Sequence, residues 1–293
     1  MSDSALPIVD AHQHFWDLSL GRHPWLRGVP PAQFRYGDTT PLRRDYLPAD
    51  YRRDCAGHRV VRTVYVEAEW DPQDPLGETR WVSALSAAEG LPSAVVAQAW
   101  LDRADAAQVL GAQAAFALVR GVRHKPPAAP GSMNDPAWRA GYALLERHGL
   151  HFELQAPWQR LHEAAALASA FPRTRLVLNH TGLPADRGAR GLAGWRAGLR
   201  ALADCPNAML KISGLGLPGQ PWRVADHAPV VREAIALFGV RRCMFASNFP
   251  VDSLVAPLDA IFSGFKAITA DFSAAERAAL FHDNARQVYR IGD

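Results

Sequence analysis

Two histidines separated by one residue follow a short apolar run near the start of the chain. The sequence reads Asp10-Ala-His-Gln-His14 directly after the run, which ends at Val9. If residues 8–11 form a buried strand, the side chains of His12 and His14 leave its end on the same side. Two neutral imidazole nitrogens in that arrangement can hold a metal ion or polarise a carbonyl group. The pair therefore predicts a reaction site at the end of the first strand.

Short apolar runs alternate with Ala-rich amphipathic segments along most of the chain. Such alternation favours parallel strand–helix–strand units, and eight of them in 293 residues are typical of a (β/α)8 TIM barrel, an α/β fold. An open doubly wound sheet is the alternative, but no glycine-rich phosphate loop follows the first strand. We predict strands over residues 8–11, 61–67, 94–100, 118–123, 151–155, 176–179, 209–212 and 243–246, and helices over 77–89, 104–114, 137–148, 159–170, 192–203 and 228–238.

A long insert, residues 15–59, separates the first two predicted strands. It is rich in proline and aromatic residues, and in a barrel it lies at the catalytic face. Trp16 and Trp25 could then form walls of a substrate pocket, although a packed loop without a ligand role explains the insert equally well. Because the sequence contains no internal repeat and no low-complexity linker, we predict one domain over residues 1–293. Two short helices should close the chain between residues 273 and 289, with Ser273 as N-cap.

The composition excludes several classes of protein. The net charge is +3 and the basic residues are scattered, so no nucleic-acid footprint is present. No apolar run is long enough to cross a membrane, and no secretory signal is visible at the N-terminus. Three distant cysteines fit reduced thiols in the cytoplasm better than a disulfide framework. These features favour a cytoplasmic enzyme that acts on a small molecule, and they leave the oligomeric state open, a homo-oligomer included.

In a TIM barrel, catalytic residues stand at the carboxyl ends of the strands. Polar side chains occupy these positions on most of the predicted strands, which a purely structural role explains poorly. They are His12 and His14, Glu67 and Glu69, Arg123 and His124, Gln155, Asn179 and His180, Lys211 and Ser213, and Ser247 and Asn248, with Asp252 four residues further on.

The three histidines His12, His14 and His180 suggest a zinc site. Three protein ligands and a water form a common catalytic zinc arrangement, and zinc can lower the pKa of its water to about 7. A carboxylate should orient one of the histidines, and Asp10 is a candidate.

Four further residues at strand ends are candidates for substrate binding. Arg123, His124 and Lys211 could bind a substrate carboxylate or stabilise an oxyanion, and Glu67 belongs with them. For Arg123, Lys211 and Glu67 the alternative is a salt bridge at the strand ends.

The motifs at these strand ends resemble the amidohydrolase superfamily, in the branch of TIM-barrel metal-dependent hydrolases that includes sugar lactonases. The resemblance runs along nearly the whole chain. The motifs are Asp10-Ala-His-Gln-His-Phe-Trp-Asp17, His23-Pro-Trp-Leu26, Asp45-Tyr-Leu-Pro48, Val64-Tyr-Val-Glu-Ala-Glu-Trp70, Gly121-Val-Arg-His124, Leu178-Asn-His-Thr-Gly182, Lys211-Ile-Ser-Gly214 and Met244-Phe-Ala-Ser-Asn-Phe-Pro250.

The resemblance implies a hydrolase that opens a small lactone, such as a sugar aldonolactone, to its hydroxy acid. The branch includes L-fuconolactonases and L-rhamnonolactonases; a cousin hydrolyses 2-pyrone-4,6-dicarboxylate without a metal, and a distant relative is a zinc-dependent decarboxylase. The family pattern maps onto His12, His14 and His180. On strand eight, however, the family usually carries an aspartate that binds the metal and acts as general base, and here the residue is Asn248. An amide is a weak metal ligand and takes up no proton usefully.

Three mechanisms follow from this departure. In the first, His12, His14 and His180 hold one zinc or another divalent metal, and Asn248 or water completes the shell. The base is then metal-bound hydroxide itself or a neighbour such as Asp252 or Glu67. In the second, the enzyme is metal-free and the histidines polarise the lactone carbonyl and deprotonate water. In the third, the barrel binds a lactone or acid with weak turnover. A lyase that decarboxylates a ring-cleavage acid is a further alternative, and it should need more carboxylate clamps than one Arg and one Lys.

Overall fold

Eight parallel strands follow one another around a barrel in chain order, which confirms the predicted (β/α)8 fold. The computed structural model describes residues 5–28 and 34–292, and every strand pairs with the next one along the chain. The strands are β1 (Ile8–Gln13), β2 (Val60–Val66), β3 (Ala94–Gln98), β4 (Val119–Arg123), β5 (His151–Leu154), β6 (Leu176–Leu178), β7 (Ala208–Ile212) and β8 (Cys243–Phe245).

The barrel closes between β1 and the residues that follow β8. Strand β8 is three residues long, so the closing contacts come from the turn beyond it. Gln13 forms a parallel bridge with Phe249, the His14 amide donates to the Phe249 carbonyl at 2.7 Å, and the Asn248 amide donates to the His12 carbonyl at 2.8 Å. Closure therefore brings His12 at the end of β1, and His14 directly after it, next to Asn248.

The helices surround the barrel, and the longer ones bury an apolar face. In α5, Trp138, Tyr142 and Leu145 are buried at helical spacing, and the Asp135 carboxylate caps the first turn by accepting from two backbone amides. The helices are α1 (Pro24–Arg27), α2 (Pro48–Asp54), α3 (Gly77–Glu89), α4 (Ala106–Ala114), α5 (Pro136–Arg147), α6 (Leu161–Ala170), α7 (Ala189–Ala203), α8 (Val224–Phe238), α9 (Leu258–Ile268), α10 (Ala274–Ala278) and α11 (Asn284–Val288).

The predicted elements differ from the observed ones mainly at their ends. Strand β1 extends two residues beyond the predicted end, so His12 lies within the strand. Helix α8 begins four residues before its predicted start and contains Pro229 as its sixth residue, where the missing N–H leaves out one intrahelical hydrogen bond. The prediction omitted α9. At the C-terminus, Ser273 caps α10 as predicted and forms a capping box with Glu276.

The insert after β1 folds back over the barrel instead of forming an unstructured loop. Trp16 and Tyr46 exchange two backbone hydrogen bonds, of 3.0 and 2.9 Å. Helices α1 and α2 lie in the insert, and residues 29–33 of the predicted stretch 15–59 lie outside the described residues. In the described part of the chain, no helix is long and apolar enough to cross a membrane.

Close packing of α5 against the end of β3 gives a first prediction. A Cβ added at Gly141 would overlap the backbone carbonyl of Leu101. We expect Gly141→Ala to lower the free energy of unfolding by about 1–3 kcal/mol, because the Leu101 backbone would have to shift to make room for the new methyl group. Gly111→Ala in α4 is the matched control: its Cβ would lie 3.6 Å from His148, and stability should hold or rise by up to about 1 kcal/mol. Urea denaturation measures both, and equal stabilities would contradict the packing described.

Candidate active site

Three histidines meet at the carboxyl end of the barrel. His12 lies in β1 and His14 directly follows it, and their Nε2 atoms lie 3.2 Å apart. His180 follows β6, and its ring centroid lies 4.6 Å from that of His12. All three side chains are buried, with at most 4% of each residue exposed. The structure thus brings together the histidines that the sequence singled out.

The three imidazoles are neutral at neutral pH. Burial, together with the neighbouring Arg123 charge, lowers the pKa of His14 to about 3. Burial also lowers the pKa of His12, helped by Lys211, and the pKa of His180, helped by Arg35. Neutral rings have a lone pair available for a metal ion or for a proton.

Hydrogen bonds fix which atoms of His14 and Asn248 face each other. His14 Nδ1 donates to the Val66 carbonyl at 2.7 Å, so the lone pair of the neutral ring is on Nε2. The Asn248 amide nitrogen donates to Asp252 Oδ1 at 2.5 Å, which directs Asn248 Oδ1 toward His14 Nε2, 3.4 Å away. Two acceptor atoms therefore face each other with no hydrogen between them.

This donor set fits a divalent cation. Metal–nitrogen bonds of about 2.0–2.1 Å at a tetrahedral angle place two nitrogens about 3.3 Å apart, close to the His12–His14 separation. A cation would also relieve the repulsion between His14 Nε2 and Asn248 Oδ1. Among residues 5–28 and 34–292, no three His, Cys, Asp or Glu side chains are spaced to hold a metal ion. The third donor to such an ion would be the amide oxygen of Asn248, 3.4 Å from His14 Nε2. The His180 ring packs against His12 at a centroid distance of 4.6 Å and would lie outside this donor set.

His180 and Asn248 both adopt backbone conformations that most residues avoid. Their φ angles are 54° and 57°, in the left-handed region that asparagine tolerates better than most side chains. The Nδ1 atom of His180 lies 2.9 Å from Ser213 Oγ, which follows β7. These two turns hold the imidazole and the amide at the mouth of the barrel.

Asp10 has a different role from the one predicted. Its carboxylate accepts from the Ser247 amide and hydroxyl at 2.9 and 2.5 Å, from the Tyr51 hydroxyl at 2.7 Å, and from the His12 amide at 3.3 Å. These partners are backbone and hydroxyl groups, so Asp10 orients the strands and not a histidine ring.

Asp252 is buried behind Asn248. Its Oδ1 accepts from Asn248 and from the Tyr36 hydroxyl at 3.0 Å, and lies 3.6 Å from Arg35. Burial raises the pKa of this carboxyl to about 6. In this position Asp252 fixes the orientation of the Asn248 amide.

The predicted substrate-binding cations are engaged with carboxylates. Arg123 pairs with Glu67 through Nε and donates to Gln155 at 3.2 Å through Nη1. Lys211 lies in the barrel interior with no exposed surface and pairs with Glu153 at 2.5 Å. The structure therefore brings Arg123 and Glu67 to the site and places Lys211 beneath it.

A cavity of about 360 Å³ opens above the histidines and includes His14, His180, Asn248 and Arg123 in its lining. Both candidate wall residues line it; Trp25 donates to the Ala68 carbonyl at 2.8 Å, and Trp16 donates to the Arg44 carbonyl, also at 2.8 Å. Phe34, one of the aromatic residues of the insert, also lines this reaction cavity. Sequence reasoning missed Arg35, Lys125, Leu183 and Val251, which line it as well. They lie in loops, and only Lys125 is close to a strand end.

His124 lies at the edge of a neighbouring cavity. Its Nδ1 atom accepts from the Leu101 amide at 3.1 Å and from the Trp138 indole at 3.0 Å. Burial lowers the pKa of His124, so this ring is also neutral at neutral pH. The residue anchors the end of β4 and exposes its edge to the second cavity.

Comparison with known proteins shows the family of this chain. The amidohydrolase family model matches residues 9–291. A protein of Sinorhizobium fredii of uncharacterised function, y4mH, is 41% identical over 99% of this chain and 100% of its own length. The L-fucono-1,5-lactonase of Burkholderia multivorans is 30% identical over 97% of this chain and 96% of its length. A crystal structure of an amidohydrolase from the same organism with bound zinc has a TM-score of 0.83 at 28% identity, covering 97% of this chain and 99% of that one.

The TIM barrel and the histidine pair at the end of its first strand are the features of the amidohydrolase class that the sequence resembles. The chain belongs to the amidohydrolase family, whose model covers almost all of it. Its relatives include lactonases that match along nearly their entire length.

A buried acid behind the site gives a pH-dependent prediction. Glu78 Oε1 accepts from the Tyr65 hydroxyl at 2.8 Å and from the Ala68 amide at 2.6 Å, and burial raises the pKa of Glu78 to about 8. Between the ordinary pKa of 4.5 and this value the folded state binds the extra proton, so stability falls as the pH rises.

We expect the free energy of unfolding of the wild type to fall between pH 5 and pH 8 by at least about 1 kcal/mol more than that of Glu78→Gln. Urea denaturation at both pH values measures the difference. Glu89→Gln, at an exposed position, is the control and should follow the wild type. Parallel pH profiles for the wild type and Glu78→Gln would contradict the assignment.

Proposed function

We propose that this chain hydrolyses a small lactone, a sugar aldonolactone or a related ring ester, to its hydroxy acid. The observation that carries the proposal is the convergence of neutral His12, His14 and His180 with the Asn248 amide oxygen at the base of a cavity of about 360 Å³. Lactonase relatives at about 30% identity support the same reaction. A lactone suits this site because its leaving oxygen is a good leaving group held in place by the ring.

Hydrolysis needs a nucleophilic water, a proton acceptor and a group that polarises the carbonyl. The water oxygen bonds to the carbonyl carbon, the ring C–O bond breaks, and the ring oxygen takes up a proton. His180 is our candidate to accept the proton from water, because its ring is buried, neutral and on the cavity wall. The Arg123 guanidinium is our candidate to stabilise the oxyanion, and Glu67 and Gln155 hold it in place.

His12, His14 and Asn248 would hold a divalent metal ion such as zinc, with His180 beside them. A bound ion would supply Lewis acidity toward the lactone carbonyl and toward water. Asp252 keeps the amide oxygen of Asn248 turned toward His14, so we propose it as a positioning residue. Trp16, Trp25 and His124 shape the substrate space. Lys211 lies below the site, and its charge helps to keep His12 neutral.

The role of His180 gives a direct test. Replacement by alanine should lower kcat/KM for lactone hydrolysis by about 100-fold or more, because a general base contributes about 10²–10⁴ in rate. His162→Ala is the matched control, since His162 is exposed on α6 and should retain wild-type kinetics. Full activity in His180→Ala would show that His180 is not the general base and would contradict this assignment of the site.

The metal and Asn248 are tested together. We expect about one divalent ion per chain in protein purified without chelator, and at least about a 10-fold loss of metal affinity in Asn248→Ala, since a ligand is removed. Asn248→Asp alone should be poorly tolerated because two carboxylates would meet across the contact with Asp252. The exchanged pair Asn248→Asp with Asp252→Asn restores one acid and one amide, and serves as the matched variant.

Elemental analysis beside turnover with and without chelator separates the outcomes. Metal bound and activity lost on chelation supports the metal site. Full turnover without metal would contradict a catalytic metal and support direct catalysis by the histidines. Saturable lactone binding without any turnover would contradict the proposed hydrolase and leave a binding protein.

A further inference from the structure

A second cavity of about 330 Å³ adjoins the reaction cavity. Trp25, Glu69, Arg123 and Lys125 line both cavities and form a shared wall. Beyond that wall the second cavity is lined by Trp70, Gln98, Trp100 and His124, among others. We call this space the side pocket. Its position next to the histidines means that one ligand could occupy both cavities.

Three indole rings form much of the side pocket. Trp25, described above, stands between the cavities. Trp70 is packed edge to face on His23 at 5.2 Å and stacked on Trp81 at 5.9 Å. The Arg103 guanidinium lies 4.9 Å from the centroid of the Trp100 ring. Trp70 is only 4% exposed and supports the pocket wall, whereas Trp25 and Trp100 are half-buried. The exposed parts of these two rings are flat apolar surfaces held at little cost in side-chain entropy, and such surfaces pack well against the C–H faces of a sugar.

The charged groups of the side pocket already neutralise each other. Glu67 pairs with Arg123, and Glu69 pairs with Lys125. The Oε1 atom of Gln98 is buried and has no hydrogen-bond partner. The pocket therefore offers polar edges without an uncompensated charge, which suits hydroxyl groups better than a carboxylate or a phosphate.

We propose that the side pocket binds an uncharged, polyhydroxylated substituent, such as a second sugar residue, attached to the lactone in the reaction cavity. The proposal rests on the proposed lactone hydrolysis and narrows its substrate class. Water adds to the lactone carbonyl and the ring C–O bond breaks, with the proton going to the ring oxygen. The bond to the second sugar residue stays intact.

Selectivity between one-ring and two-ring substrates tests the proposal. The probes are D-glucono-1,5-lactone and the cellobiono-, maltobiono- and lactobiono-1,5-lactones. We expect the wild type to favour at least one disaccharide lactone by about 10-fold or more in kcat/KM, the range that pocket contacts supply. In Trp100→Ala the ratio of kcat/KM for the disaccharide lactone to that for the one-ring lactone should fall toward one. Trp100→Phe keeps a flat ring and should retain most of the preference.

A binding measurement keeps this test separate from that of the proposed function. If no lactone is hydrolysed, the proposed function fails, and titration of the wild type with cellobiose, maltose and lactose by tryptophan fluorescence still examines the pocket. Saturable binding of one disaccharide that Trp100→Ala loses would support the side pocket. Absence of binding, or a wild-type kcat/KM ratio near or below one for all three disaccharide lactones, would overturn it.

Discussion

The site depends on one buried carboxylate that holds the barrel closed. Asp10 has no exposed surface, and its oxygens accept hydrogen bonds from Ser247, Tyr51 and the His12 amide. Those bonds join β1, the turn after β8 and α2. A buried acid without such partners would be strongly destabilising, so the three segments cannot separate cheaply. The closure sets His12 and His14 opposite Asn248, and the proposed metal-binding donors depend on that juxtaposition.

The barrel could be predicted because apolar runs and amphipathic segments alternate along the chain, and that pattern leaves few other folds. Element ends were harder to predict. Strand β1 extends to Gln13 although its second half is polar, because that half is hydrogen-bonded to the neighbouring strand and to the closing turn. The sequence pattern records burial of apolar groups and carries little information about buried polar groups that find partners.

The same limit applies to the site. Reasoning from strand ends found the three histidines, Arg123 and Asn248, because such positions share one rim in any barrel. It could not tell that Lys211 lies below the rim, since its partner Glu153 comes from another strand 58 residues away. Nor could it find Arg35, which a loop brings to the cavity wall. Pairing across strands and the paths of loops are set by tertiary packing, which local sequence does not encode.

Four cations surround the reaction cavity, and each lies within 4 Å of a carboxylate: Arg35 of Asp252, Arg123 of Glu67, Lys125 of Glu69 and Lys211 of Glu153. Such pairs cancel each other's long-range field, so the entrance attracts or repels a charged solute only weakly. Capture of a neutral ligand then depends on diffusion and fit, and its association rate should change little with ionic strength.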